Sequence, residues 1–229
     1  MKKYKNKTFA ILAIDKELGG ISSMIEHSTR VIASEAKEVN LFLLKGSATL
    51  EKIREVFISD TKVNIHEITY IDKFLFNLGL LNLSIKKILL SVDYILFHNI
   101  KLINVLQKFN KIKPLFFFFH TDKYKHIKKF RYIEHIFTVN TKTRNIVNTY
   151  FNSNKAKYLP NCINTDTIEV QKLVSSNRKK LVVGAMGRLI EKKGFDFLIN
   201  AFKNLSNVDL IIGGAGPIKE DLIKLSKKY

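Results

Sequence analysis

The stretch "PLFFFFH", residues 114–120, decides the fold. Successive side chains of a strand point to opposite sides of the sheet, so four consecutive phenylalanines make sense only if both sides are covered. Strands covered on both faces belong to parallel sheets, whose crossover helices lie above and below. A half-exposed strand is excluded.

Reading outward, similar apolar, β-branched and aromatic runs recur: "TFAILAI" (8–14), "VNLFLL" (39–44), "VNIHEIT" (63–69), "YILFH" (94–98) and "HIFTVN" (135–140). Between most of them lie segments with apolar residues at helical spacing, such as "SSMIEHSTRVIASEA" and "IKLINVLQKF". This alternation predicts an α/β fold of βαβ units around a parallel sheet. It continues to "AKYLPN" (156–161), after which "NTDTIEVQKLVSSNRKK" shows no strong period. A strand "LVVGAMG", a helix "FDFLINAFKNL", a strand "VDLIIGG" and a helix beginning after Pro217 follow. The expected organisation is a first Rossmann-like domain over residues 1–165, a linker over 166–178 and a second unit over 179–229. Two strands and two helices cannot cover both faces of a parallel sheet, so 179–229 reads as the opening βαβα of a larger domain.

The 229 residues are 46% hydrophobic and 26% charged, which is ordinary globular usage. The net charge of +19 is not ordinary and favours anionic partners. Lysines outnumber arginines steeply, as an AT-rich coding bias would produce. The excess is nevertheless uneven: residues 101–157 hold thirteen Lys or Arg against only Asp122 and Glu134. Cys162 is the single cysteine, which rules out an intrachain disulfide and fits a reducing compartment. With no partner nearby in sequence, its thiol is expected to be buried or half-buried. The start "MKKYKNK" does not resemble a signal peptide, and the longest apolar stretches, such as Phe74 to Ile85, are too short for a membrane span of ~20 residues. The expectation is a cytoplasmic protein, soluble or peripheral on the inner face of a membrane.

Ligands of open parallel sheets bind where loops leave the carboxyl ends of strands. Three such loops draw attention. In "DKELGGISS", Gly19 and Gly20 let the backbone turn tightly and approach a ligand, and Ser22 or Ser23 is placed to cap a phosphate-attracting helix; a plain turn is the open alternative. His120 closes the most buried strand, either as a donor to a sugar hydroxyl or developing charge or simply as a strand end; His98 shares the geometry with a weaker claim. In "GAMGRLIEKKGFDFLINAF" (184–202), Arg188 leaves a strand and Lys193 precedes a helix, so both cations and the helix N-terminus suit one anion. Bare cations in a loop are otherwise solvated surface.

"GRLIEKKGFDFLINAF" followed by "LIIGGAGPIKEDL" resembles the donor-side signature of the retaining GT-B glycosyltransferases of group 1. The resemblance runs back through "KYLPNCINTD", similar to that family's Pro-Asn-Gly-hydrophobic-Asp segment, to "FFFFHT" and "LGG". Cys162 and Asn164 stand where the family has Gly and Asp. The resemblance implies a GT-B architecture with an acceptor-side domain at 1–165 and an incomplete nucleotide-sugar-binding domain at 179–229. It implies that Arg188 and Lys193 hold the diphosphate of a nucleotide-sugar without a metal or other cofactor, that Gly19 and Gly20 approach the phosphates or sugar, and that His120 contacts the sugar near the reacting centre. The acceptor would be a glycolipid or a lipopolysaccharide-type polysaccharide. The family's second motif, two glutamates seven residues apart, is expected beyond Gly216 and is not in this sequence. That raises a second expectation, a truncated or split-gene remnant that binds acceptor or anionic membrane without activity alone, with a separately encoded C-terminal half. The segment "KYKHIKKFRY" (123–132) is either a basic, aromatic patch for anionic lipid or a solvated helix face. Nucleic acid is not an expected partner, because the aromatics sit in apolar runs rather than among cations.

Overall fold

A computed structural model of the chain describes residues 4–16, 19–120, 124–162 and 180–228. The chain divides into two compact units, Met1–Ile168 and Glu169–Tyr229. The expected linker and Asn164 lie outside the described residues.

In the first unit every apolar run named above becomes a strand: β1 Thr8–Ala13, β2 Glu38–Leu44, β3 Val63–Ile68, β4 Tyr94–Phe97, β5 Leu115–Phe119, β6 His135–Thr138 and β7 Ala156–Tyr158. The helices are α1 Gly20–Glu35, α2 Ala48–Val56, α3 Tyr70–Asn77, α4 Leu83–Ser91, α5 Ile103–Leu106 and α6 Thr141–Phe151. The strands form one sheet in the order β3-β2-β1-β4-β5-β6-β7. All six pairings are parallel. The order reverses between β1 and β4, the doubly wound pattern whose reversal point opens a ligand crevice.

The phenylalanine run explains the two layers. Leu115, Phe117 and Phe119 enter a core built with Phe76 of α3, Leu89 of α4, Leu106 of α5 and Val147 of α6. Phe118 enters the opposite core with Met24 and Ile25 of α1 and Leu50 and Ile53 of α2. Each buried ring contributes about 1.5–3 kcal/mol by leaving water. Register adds stacking across strands, with Phe97 on Phe117 at 4.8 Å between centroids. On the α1 side, Tyr4, Phe9, Tyr94, Phe116 and Phe137 line an apolar groove of about 300 Å³.

Polar residues start the helices. Ser47, Asn82 and Asn140 accept from the backbone N–H of the third residue of α2, α4 and α6. Thr69 and Asp72 form a reciprocal capping box on α3.

Two segments differ from the sequence expectation. Residues 100–109 form a 3-10 turn (Ile100–Leu102), the short α5 and a second 3-10 turn (Gln107–Phe109) rather than one helix. Leu102, Ile103, Val105, Leu106 and Phe109 are all buried. Residues 124–132 are likewise 3-10. Phe130 is buried and meets Phe117 and Phe119 edge-on at 5.3 and 4.9 Å, so this aromatic of the expected lipid patch belongs to the core, while Tyr132 stays exposed.

Several lysines of the basic stretch bond to the chain itself. Lys108 donates to the carbonyl of Gly79 at 2.7 Å, Lys155 to that of Phe130 at 2.8 Å and Lys129 to Oδ1 of Asn104 at 3.1 Å. Lys113 donates to the carbonyl of Val92. Cys162 is exposed, contrary to the expectation of a buried thiol. The reason is its place after edge strand β7: Leu159 makes a bond to Thr138, and beyond it Pro160, Asn161 and Cys162 stay exposed.

The second unit pairs β8 (Leu181–Met186) in parallel with β9 (Val208–Gly213), with α7 (Phe195–Phe202) and α8 (Lys219–Ser226) following them. Leu189, Phe195, Ile199 and Leu222 form its core. Met186 and Ile211 remain exposed. The βαβα order is the expected one.

Candidate functional site

The first unit concentrates polar chemistry at the reversal point of its sheet. The β1–β4 ladder ends with His98 N–H donating to the carbonyl of Leu12. Asn99 then continues it with its side chain: Oδ1 accepts the Ile14 N–H at 2.7 Å, and Nδ2 donates to the Asp15 carboxylate at 3.0 Å. Burial raises the pKa of Asp15, opposed by the Asn99 bond and by Lys73. Lys73, in the first turn of α3, has its own pKa lowered by burial and by the nearby charges of Lys16 and Lys101. Lys16 also lies over the ring of Tyr70, 5.2 Å from its centroid. Asp15, Asn99 and Lys73 were not singled out from the sequence. Only the acid directly after the "FAILAI" run marks the place.

His98 and His120, at the ends of neighbouring strands β4 and β5, form a pair. Nδ1 of His98 lies 2.9 Å from Nε2 of His120, and their ring planes are within 11° of parallel, edge to edge. Phe118 stacks on His98 at 5.0 Å and fixes its plane. His98 is only 4% exposed, and its Nε2 has no hydrogen-bond partner among the described residues. Burial lowers the pKa of His120 to about 4, and burial together with His120 lowers that of His98 well below the ordinary value. Both rings are therefore neutral near pH 7, and one nitrogen of the contact carries the proton. A buried acceptor left unpaired is less costly than a buried N–H left unpaired. The proton thus belongs on Nδ1 of His98, which donates to Nε2 of His120. His120 then keeps its own proton on Nδ1, a neutral donor suited to a hydroxyl or a developing negative charge.

Gly19 and Gly20 follow β1 as expected, with a different physical basis. Gly19 is extended, with φ at 169°, so no left-handed turn demands a glycine. A Cβ there would meet nothing within 4 Å, and one on Gly20 only Asn161 Nδ2 at 3.9 Å. The glycines leave space in front of α1. Ser22 bonds to both the N–H and the carbonyl of Gly19 at 2.8 and 2.7 Å. Gly19 itself brings no side-chain cap, so the first-turn N–H groups of this 16-residue helix have no capping acceptor among the described residues.

In the second unit, Arg188 lies directly after β8 and Lys193 ends a 3-10 turn, Glu191–Lys193, ahead of α7. Both are exposed. Gly194 joins that turn to α7 in the left-handed region, with φ at 67°. The loop around Arg188 is braced by the glycine-rich loop after β9. Gly187 N–H donates to Gly213, Leu189 N–H to Ala215 and Ile218 N–H to Leu189, at 3.0, 2.8 and 3.3 Å. A Cβ on Gly214 would stand 1.9 Å from the Gly187 carbonyl oxygen, and one on Gly216 2.2 Å from that of Leu189. The "GGAGP" segment is thus a backbone clamp on Arg188, with buried Leu189 and the Phe195 ring against Gly187 fixing either side. Among the described residues, no group of three His, Cys, Asp or Glu is placed to hold a metal ion. No helix among them is long and apolar enough to cross a membrane.

No protein-family model and no curated protein matches the sequence. Solved structures do match. Anabaena HepE, in complex with UDP and glucose, is similar over 97% of this chain with a TM-score of 0.71 and 14% identity. The lipopolysaccharide outer core galactosyltransferase WaaB matches over 97% with a TM-score of 0.61 and 14% identity. A Listeria monocytogenes protein provisionally assigned as a UDP-N-acetylglucosamine 2-epimerase matches over 97% with a TM-score of 0.62 and 10% identity. The chain spans 65%, 64% and 66% of the lengths of these three. At such identities the likeness concerns the fold, which an assigned epimerase shares with a transferase. The chain has the GT-B glycosyltransferase fold, with one full Rossmann-like unit and the first βαβα of a second.

Proposed function

We propose that the chain is part of a glycosyltransferase that moves a hexosyl unit, with retention, from a nucleotide-diphospho-sugar to a glycolipid or lipopolysaccharide-type acceptor. The observation that carries this reading is the clamp on Arg188, which holds a planar phosphate-binding cation on a fixed backbone at a strand end. In this reading Arg188 and Lys193 bind the diphosphate and stabilise it as it departs, with no metal required. Gly19 and Gly20 leave room for a phosphate or sugar at the N-terminus of α1, and His120 donates from Nδ1 to a sugar hydroxyl. Removing one preorganised donor of this kind typically costs ~10²–10³ in rate.

The test uses UDP, GDP and ADP as probes of the shared diphosphate, titrated calorimetrically into the full chain. Saturable binding of one of them, weakened about tenfold or more by Arg188→Ala and by Lys193→Ala, supports the assignment. Equal affinity in both variants and the parent defeats it.

A further inference from the structure

Three lysines reach the crevice at the carboxyl end of the first unit's sheet from three different connections. Lys16 follows β1, Lys73 lies in the first turn of α3 after β3, and Lys101 follows β4 in the turn Ile100–Leu102. Each backbone is held in place. Ala48 N–H donates to the carbonyl of Lys16 at 3.1 Å, Leu102 N–H donates to that of Asn99 at 3.0 Å, and the Thr69–Asp72 box starts α3. Lys73 is half-buried, with the charges of Lys16 and Lys101 bearing on it. Among the described residues, none of the three ammonium groups has a hydrogen bond or an ion pair. Other lysines of this unit do find carboxylates: Lys7 meets Asp93 at 2.9 Å, Lys52 meets Glu26 at 2.8 Å and Lys45 meets Glu67 at 3.5 Å. A half-buried ammonium set among like charges with no acceptor costs folding free energy. Such an arrangement is characteristic of a place where a ligand supplies the missing charge.

The neighbouring acids narrow the ligand. Asp72 is engaged by the α3 cap and by Asn82. Asp15 takes the Asn99 amide on Oδ2, while its Oδ1 has no hydrogen-bond partner among the described residues. A bare anion would satisfy the lysines and be repelled by Asp15. A phosphate ester that also carries hydroxyls suits both signs, with its phosphate oxygens on the lysines and a hydroxyl donating to the carboxylate. A carboxylate ligand would bring one charge to three cations, whereas a phosphate monoester carries between about 1.5 and 2 at pH 7.

We propose that Lys16, Lys73 and Lys101 bind the phosphate of a phosphorylated sugar, one of whose hydroxyls donates to Oδ1 of Asp15. The site stands on this geometry, and its identification as the place of the acceptor rests on the transferase reading. The test titrates glucose 6-phosphate, mannose 6-phosphate, inorganic phosphate and glucose calorimetrically into the full chain at low ionic strength. At least one sugar phosphate should saturate about tenfold more tightly than inorganic phosphate, and glucose should not bind. Lys73→Ala, and separately Lys16→Ala with Lys101→Ala, should each weaken the sugar phosphate about tenfold or more. Lys86→Ala with Lys87→Ala, which removes two exposed charges from α4, should leave it unchanged. Lys73 makes no bond whose loss would weaken the fold, and its removal relieves repulsion, so the urea midpoint of Lys73→Ala should equal or exceed that of the parent. The site is overturned if neither sugar phosphate saturates, if binding survives the lysine variants or falls equally in the α4 pair, or if the Lys73→Ala midpoint drops. Inorganic phosphate binding as tightly as the esters overturns the hydroxyl contact. The two readings fail separately: Arg188-dependent UDP binding without sugar phosphate binding sinks this site alone, whereas Lys73-dependent sugar phosphate binding without nucleotide binding keeps the site and removes the transferase reading.

Discussion

Nδ1 of His98 sits 2.9 Å from Nε2 of His120, and the buried, unpartnered Nε2 of His98 determines which ring supplies the shared proton. His98 never needs to touch a ligand to matter. By donating to His120 it keeps the outer histidine protonated on Nδ1.

Nitrogen-15 imidazole spectra of the labelled chain at pH 7 test this directly. Both histidines should appear as Nδ1–H tautomers, and His98→Phe should release His120 to the Nε2–H form common in solution. Finding His120 as Nε2–H in the parent would reverse the assigned direction of the bond.

The same pair makes stability depend on pH. Below about pH 6.5 the unfolded chain protonates both rings, whereas native His120 stays neutral down to about 4 and burial holds native His98 well below its ordinary value. The unfolded state then binds more protons, so stability is full above pH 6.5 and is lost as pH falls toward 4. His120 alone accounts for about 2 kcal/mol of that loss at pH 5. Asp15, whose native pKa burial raises above the ordinary 3.8, opposes the trend as pH falls through that raised value toward 3.8. Urea unfolding of the parent and of His120→Gln at pH 7 and pH 5 should show a smaller pH difference in the variant.

The Arg188 clamp predicts a sharp contrast among glycines. Gly214→Ala and Gly216→Ala drive a methyl group into backbone carbonyls, and should each destabilise residues 180–228 by about 1–3 kcal/mol. Gly184→Ala, with nothing within 4 Å of the added methyl, should be nearly neutral. Hydrogen exchange resolved to that segment is the measurement, and equal protection in all three variants would contradict the clamp.

Asn99→Ala should cost about 1–3 kcal/mol, because it leaves the Ile14 N–H without its acceptor and the half-buried Asp15 carboxylate without its donor. Denaturant midpoints give the answer, and Asn99→Asp should fare no better, since it restores the acceptor for Ile14 while placing a second carboxylate beside Asp15.

What the sequence disclosed, and what it hid, follows from the range of each interaction. The runs that became β1, β2, β4 and β5 were legible because a strand buried on both faces must be apolar along its length. Helix starts such as Ser47 and Asn140 are equally local, although they were not read from the sequence. The contact between His98 and His120, and the bridge from Ile14 through Asn99 to Asp15, join residues that only the sheet order brings together. Gly19 and Gly20 were read for backbone freedom, and the described residues add the empty space they leave before α1, since the residue type reports both. Gly214 and Gly216 looked like part of a ligand-binding signature, and the backbone shows them as the support beneath one. Residues 100–109 misled because the spacing of Leu102, Ile103, Val105, Leu106 and Phe109 suits a succession of short 3-10 and α turns as well as one helix.

The lysines bonded to carbonyls have a consequence for chemical labelling. Lys108, Lys113 and Lys155 each tie a loop to a distant backbone oxygen, so their amines are occupied in the closed state. Acetylation by a small reagent would proceed at these positions at the rate at which each loop lets go, while Lys86 or Lys125 would react at once. In a chain so rich in lysine, the slowest few amines would serve as timers for local opening.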